Sequence, residues 1–93
     1  MSKPRYLWHG YIKAILKKYP KVSNKEKKAV EDALSDFSTE GRTDLLDLAE
    51  ILYFKKRKDM RGAAEILYIS YGTAIRRNRE ILRKVAAYMG LME

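Results

Sequence analysis

Apolar positions along the chain recur three and four residues apart, and no useful stretch alternates apolar with polar residues, so the pattern predicts helices and no strands. A first helix is expected from about Arg5 to Tyr19, where Leu7, Tyr11, Ile15 and Tyr19 lie four apart and Trp8, Ile12 and Leu16 form the neighbouring row. Pro20 ends it. Ser23 followed by Glu26 is a capping box, in which each side chain satisfies the other's backbone N–H, and it predicts a second helix from Asn24 with Val30, Ala33, Leu34 and Phe37 as its apolar stripe. Gly41 closes the connection. Thr43 with Asp44 is expected to cap a third helix carrying Leu45, Leu46, Leu48, Ala49, Leu52 and Tyr53, which runs into Lys55-Lys56-Arg57-Lys58. Asp59 caps a short fourth helix through Ala63, Ala64 and Leu67. After a break at Tyr68-Ile69-Ser70 comes the longest helix, Tyr71 to Met89, with Gly90 as a left-handed stop. The expectation is an all-α single domain of about five helices.

Composition fits one modest core: 93 residues, 46% of them apolar. Cysteine is absent, which removes disulfides, thiolate metal ligands and thiol nucleophiles and suits a reducing compartment; no apolar run approaches a membrane span, and a cytoplasmic protein is expected. Charge changes the picture more. Of a formal net charge of +8, residues 1–22 carry +6 with no acid, residues 23–54 carry −4, and residues 55–93 carry +6. That order predicts polyanion contacts from the two ends and a structural or protein-facing middle, the alternative being lysine used only for solubility.

The segment from Gly62 to Arg77 meets the demands of two helices joined by a three-residue turn and crossing closely. Ala64 is the small crossing residue, Leu67 and Ile69 bracket the turn, Ser70 caps the second helix and Ala74 lies opposite Ala64. A helix-turn-helix is expected, the alternative being a helical hairpin in a small bundle. One position departs from the usual pattern: Tyr68 stands where glycine is common, which requires a left-handed backbone or an altered turn.

At 100° per residue, the last helix puts Ala74, Asn78, Ile81, Leu82, Val85 and Met89 on one side and Gly72, Thr73, Arg76, Arg79 and Arg83 on the other. The arginine fork suits guanine edges and phosphates, and the first two turns of a recognition helix reach base edges. Ser70 opens that helix; Tyr71, Gly72, Thr73 and Arg76 are the candidates for direct DNA contact, with Arg77 and Arg79 at the groove walls. Arg83 or Lys84 is expected on phosphate, or serves the helix C-terminus. Lys55, Lys56, Arg57 and Lys58 precede the motif and are either phosphate contacts or a solvated charge run.

Two resemblances rest on these residues. The stretch from Leu45 to Met89 resembles the DNA-binding region 4 of bacterial sigma factors, with Ile69-Ser70, Gly72-Thr73 and Arg77 at the places of a sigma-like Ile-Ser-x-Gly-Thr pattern. The chain as a whole is similar to phage-encoded transcriptional regulators of the ArpU/RinA group, in an opening "RYLWHGYIKAILKKYP" and a closing "ISYGTAIRRNREILRKVAAYMG". The resemblance implies a phage or prophage regulator, an activator of late or packaging genes, with contacts carried by Ser70 to Arg79 and RNA polymerase as a further partner. Tyr68 and a short middle segment depart from that pattern.

Other classes find less in the residues. The chain has one histidine, His9, beside Trp8 and better read as a helix-surface residue than a ligand, so no enzyme and no cofactor are expected. Asp44 and Asp47 share a helix and could bind a cation, although acids at a helix N-terminus are the commoner explanation. The basic, aromatic first helix could lie on a membrane surface, but its stripe of Trp8, Tyr11, Ile12 and Ile15 is better read as core or as a surface for homo-oligomerisation. A small phage-packaging subunit, ring-forming and also using a helix-turn-helix, is the alternative DNA-binding class.

Overall fold

In the computed structural model, which describes residues 8–55 and 58–91, five helices follow one another: α1 (Trp8–Lys18), α2 (Asn24–Thr39), α3 (Thr43–Ala49), α4 (Met60–Ile66) and α5 (Tyr71–Tyr88). There is no strand among the described residues. Residues 5–7, the expected start of the first helix, lie outside them.

In α1 the row Ile12, Ile15 and Leu16 is buried. The stripe of Trp8, Tyr11, Ile12 and Ile15 is read from the sequence as core or as a self-association surface; Ile12 and Ile15 belong to the chain's own core, and Trp8 packs half-buried against it. The aromatic neighbours tie α1 to α2 instead: the Tyr11 hydroxyl donates to Glu26, and the Tyr19 hydroxyl to Glu31 at 3.1 Å. The α2 start follows its sequence signal in full. Glu26 N–H donates to Ser23 Oγ at 3.2 Å and Ser23 N–H to Glu26 Oε1 at 3.1 Å, a reciprocal capping box.

The start of α3 departs from expectation. Arg42, not Thr43, is the N-cap residue, and no side chain caps the helix. The Asp44 carboxylate is taken by a guanidinium: Arg42 Nε donates to Oδ1 at 3.1 Å and Nη2 to Oδ2 at 3.0 Å, a two-pronged charged contact that outweighs one bond to a neutral N–H. The same Arg42 sends Nη1 to Glu80 Oε1 on α5 at 3.0 Å. Arg77, also on α5, places Nε 3.3 Å from Asp44 Oδ2. Four side chains therefore tie the start of α3 to the middle of α5.

Beyond Ala49 the helix continues without a break into a π turn, Glu50–Phe54, closed by Lys55 N–H donating to the Glu50 carbonyl at 2.7 Å. The additional residue in this turn re-aims the chain as it leaves α3. Tyr53 is buried, and its hydroxyl donates to Oδ1 of Asn78, the one buried polar side chain of the described core. Burial pushes the Tyr53 phenol up to about 12, so it stays a donor at any ordinary pH.

Asp59 caps α4, its Oδ1 accepting from Gly62 N–H at 2.9 Å, and Ser70 caps α5. The core face of α5 is Ala74, Asn78, Ile81, Leu82 and Val85, as the helical period predicted, joined by Ala86, with Met89 buried just past the helix end. Each of α1, α2, α3 and α4 packs on this helix. Ala63, Ala64 and Ala74 are buried, small enough for α4 and α5 to lie close at their junction.

Two stability measurements test these contacts. Tyr53→Phe removes the donor from buried Asn78 and should destabilise the protein by about 1–3 kcal/mol in urea unfolding, while adding Asn78→Leu should recover much of the loss because no polar group is then stranded. An unchanged midpoint for the single variant would contradict the assigned bond. Second, the Arg42 hydrogen bonds hold the Asp44 carboxyl below its ordinary range. A depressed carboxyl stabilises the fold above its unfolded value, about 3.9, and this contribution is lost as pH falls through the lower folded value. Thermal melts below about pH 4 should lose stability less steeply in Asp44→Asn than in wild type.

Candidate nucleic-acid interface

A chain of short hydrogen bonds organises the first turns of α5. Thr73 N–H donates to Ser70 Oγ at 3.1 Å, which is the helix cap. The Thr73 Oγ1 atom accepts twice, from the Ser70 hydroxyl at 2.9 Å and from Arg76 Nη2 at 3.1 Å, so its own proton points to other acceptors. The Arg76 side chain therefore runs back toward the start of the helix, the direction that long helical side chains take. Its Nη1 lies 3.9 Å from where a Cβ on Gly72 would stand, so the guanidinium lies over the glycine, with most of its five donors unused among the described residues. Ser70, Tyr71, Gly72, Thr73 and Arg76, five of the residues singled out in the sequence, thus form one cluster of exposed or half-buried groups.

Tyr71 joins this cluster to α4. Its half-exposed ring lies under the Arg61 guanidinium, 4.5 Å from centroid to Cζ. Arg61 was not singled out from the sequence. It stands ten residues from Tyr71 across a turn, and no period links the two. Lys58 is exposed at the foot of α4; its stem passes over Gly62, where an added Cβ would meet Lys58 Cβ at 2.9 Å.

Arg79 continues the exposed stripe one turn on and adjoins α1. The His9 imidazole is shifted below its ordinary value, first by burial and then by the charges of Lys13 and Arg79, so α1 adds cations beside this part of α5. Arg83, exposed, borders a shallow groove with Phe37, Glu40, Arg42 and Lys84.

The remaining predicted residues fall elsewhere. Arg77 is half-buried in its ion pair with Asp44, and Lys84 turns to α2, with Nζ 3.5 Å from Glu40 and 3.7 Å from Asp36. These two cations hold α5 to the acidic middle of the chain; neither stands open on the stripe with Arg76 and Arg79. Lys55 Nζ lies 3.5 Å from Glu50 in an exposed pair of little energetic weight. Lys56 and Arg57 lie outside the described residues. Glu80 is the acid nearest in helical phase to the arginine stripe, and the Arg42 contact at 3.0 Å offsets its charge.

Asp44, once a cation candidate with Asp47, has its carboxylate engaged by two guanidinium groups, and among the described residues no group of three acids or histidines could hold a metal. Nor is any helix of the described residues long and apolar enough to cross a membrane. Compared with known protein families, with curated proteins and with solved structures, the chain matches none.

Proposed function

We propose that the protein binds duplex DNA, with α4 and α5 acting as a helix-turn-helix and the first two turns of α5 entering the major groove. The observation that carries this reading is the Ser70–Thr73–Arg76 cluster. It puts a forked cation and a hydroxyl that keeps its proton to donate at the start of a helix whose opposite face is committed to the core. Arg76 and Thr73 read base edges; Lys58, Arg61, Arg79 and Arg83 meet phosphate. Arg77 and Lys84 serve the fold. The further assignment, a phage-type transcriptional regulator that activates late or packaging genes and works with RNA polymerase, rests on the sequence resemblance alone.

Five cations on this surface, Lys58, Arg61, Arg76, Arg79 and Arg83, should release counterions when DNA binds, giving a log–log slope of affinity against salt of about −4 to −5. Affinity that hardly changes with salt would end the DNA-binding reading. Reading and holding separate in the variants. With a site selected from a random duplex pool, Arg76→Ala should weaken cognate binding by roughly tenfold or more and random DNA little, because a bidentate contact to guanine discriminates by about 1–3 kcal/mol. Replacing Lys58 and Arg61 should weaken both alike and flatten the slope. Arg77→Ala should lower the melting temperature and leave the slope unchanged. If Arg76→Ala lowers cognate and random binding equally, Arg76 holds phosphate and the base-reading face lies elsewhere on α5.

A further inference from the structure

Three turns of this chain end a helix with the same bonds. After α2, Gly41 N–H donates to the Ser38 carbonyl at 3.2 Å and Arg42 N–H to Phe37 at 2.8 Å. After α5, Gly90 N–H donates to Ala87 at 3.1 Å and Leu91 N–H to Ala86 at 2.9 Å. Between α4 and α5, Tyr68 N–H donates to Glu65 at 3.2 Å and Ile69 N–H to Ala64 at 3.0 Å. Each is a Schellman turn, which needs one residue with a left-handed backbone. Two of the three use glycine, at φ 74° and 77°; the third uses Tyr68, at φ 58°.

For a residue with a Cβ that conformation costs about 1–2 kcal/mol. Packing does not offset it. The Tyr68 side chain is 95% exposed, its hydroxyl bonds to nothing among the described residues, and no other large apolar side chain of the described chain is so open. The residue is unfavourable where it stands, and nothing among the described residues uses its ring or its hydroxyl. A side chain kept under those conditions answers to something outside the chain.

Its place in the chain indicates its partner. Tyr68 stands in the turn that joins α4 to α5, two residues before the Ser70 cap and three before Tyr71, whose ring lies under Arg61, in a segment, residues 55–93, of net charge +6. An exposed phenol in a basic segment, its O–H bonded to nothing among the described residues, complements a phosphate oxygen, and tyrosine hydroxyls are regular donors to the nucleic-acid backbone. We infer that Tyr68 is a DNA-backbone contact: its hydroxyl donates to a phosphate at the edge of the groove that α5 enters, and it holds the turn in place of the more stable glycine. This inference rests on the DNA-binding reading above and adds to it an uncharged contact that the salt slope cannot detect.

Tyr68→Gly and Tyr68→Phe test it together, with melting temperature and duplex affinity measured at several salt concentrations. Tyr68→Gly relieves the left-handed strain and should raise the melting midpoint by roughly 2–6 °C. Tyr68→Phe keeps the backbone cost and should leave the midpoint near wild type. Both should lose roughly tenfold in affinity, on cognate and random duplexes alike. The salt slope should stay that of wild type, since a neutral phenol displaces no counterion. Full affinity in Tyr68→Phe overturns the proposal, whatever Tyr68→Gly does. Stabilisation by glycine with DNA affinity intact also overturns it, and assigns the phenol to a protein partner. A wild-type protein that binds no duplex fails at the parent reading, a result distinguishable because it precedes any variant.

Discussion

The constraint on which the rest of the structure depends is that α5 must be covered along one side while its other side stays open. Four helices lie against it, and its buried row of Ala74, Asn78, Ile81, Leu82, Val85 and Ala86 is the common wall of the core. Helices packed on one such wall hold its rotation about its own axis, because a turn of the helix would exchange apolar for charged side chains at every contact at once. Arg76 and Arg79 consequently owe their position to residues they never touch. The buried Tyr53–Asn78 bond adds a directional element to an otherwise apolar surface: apolar packing tolerates small slips, whereas a hydrogen bond in the core is satisfied in one register only.

Charge is divided between two tasks that the sequence mixes. The acidic middle segment supplies Asp36, Glu40 and Asp44, which take Lys84 and Arg77 from α5, while Arg42 offsets Glu80. The ions along the inner flank of α5 therefore act within the molecule. A net charge of +8 understates this division, because Asp36, Glu40 and Asp44 lie along the flank of α5 that carries Arg77 and Lys84 and are paired there, while Arg76 and Arg79 stand apart from those pairs.

Much of this was legible along the chain, for physical reasons that are local. The Ser23–Glu26 box, the Asp59 and Ser70 caps, the Gly41 and Gly90 stops and the buried face of α5 all depend on residues within four positions of one another. At Tyr68 the sequence leaves two outcomes open, a left-handed backbone or an altered turn, and the chain takes the first, at φ 58°. The features that were not legible are tertiary. Thr43 and Asp44 have the composition of a helix cap, but a guanidinium two residues upstream competes for the carboxylate, and its reach to Glu80 crosses 38 positions. Arg77 and Arg79 differ by two residues and are chemically alike in sequence; only the location of α3 assigns one to an ion pair and the other to the open stripe. Similarly, Ile12 and Ile15 looked surplus to a small core because the extent of α5 available to α1 was not visible. The π turn at Glu50–Phe54 has no sequence signature, and neither has the bond that its Tyr53 makes to Asn78, 25 positions on.

The place of α5 in chain order has a consequence for how the molecule is made. Synthesis releases residues from the N-terminus onward, so α1 to α4 emerge before the wall on which all four pack. Until α5 has emerged, Ile12, Leu16, Val30, Phe37, Leu45 and Leu48 lack the one element on which α1 to α4 all pack. A nascent chain halted before α5 offers exposed apolar stripes to chaperones and proteases. Completion of the core and presentation of the arginine stripe are then a single event, so no partly made chain carries that stripe without the wall that orients it.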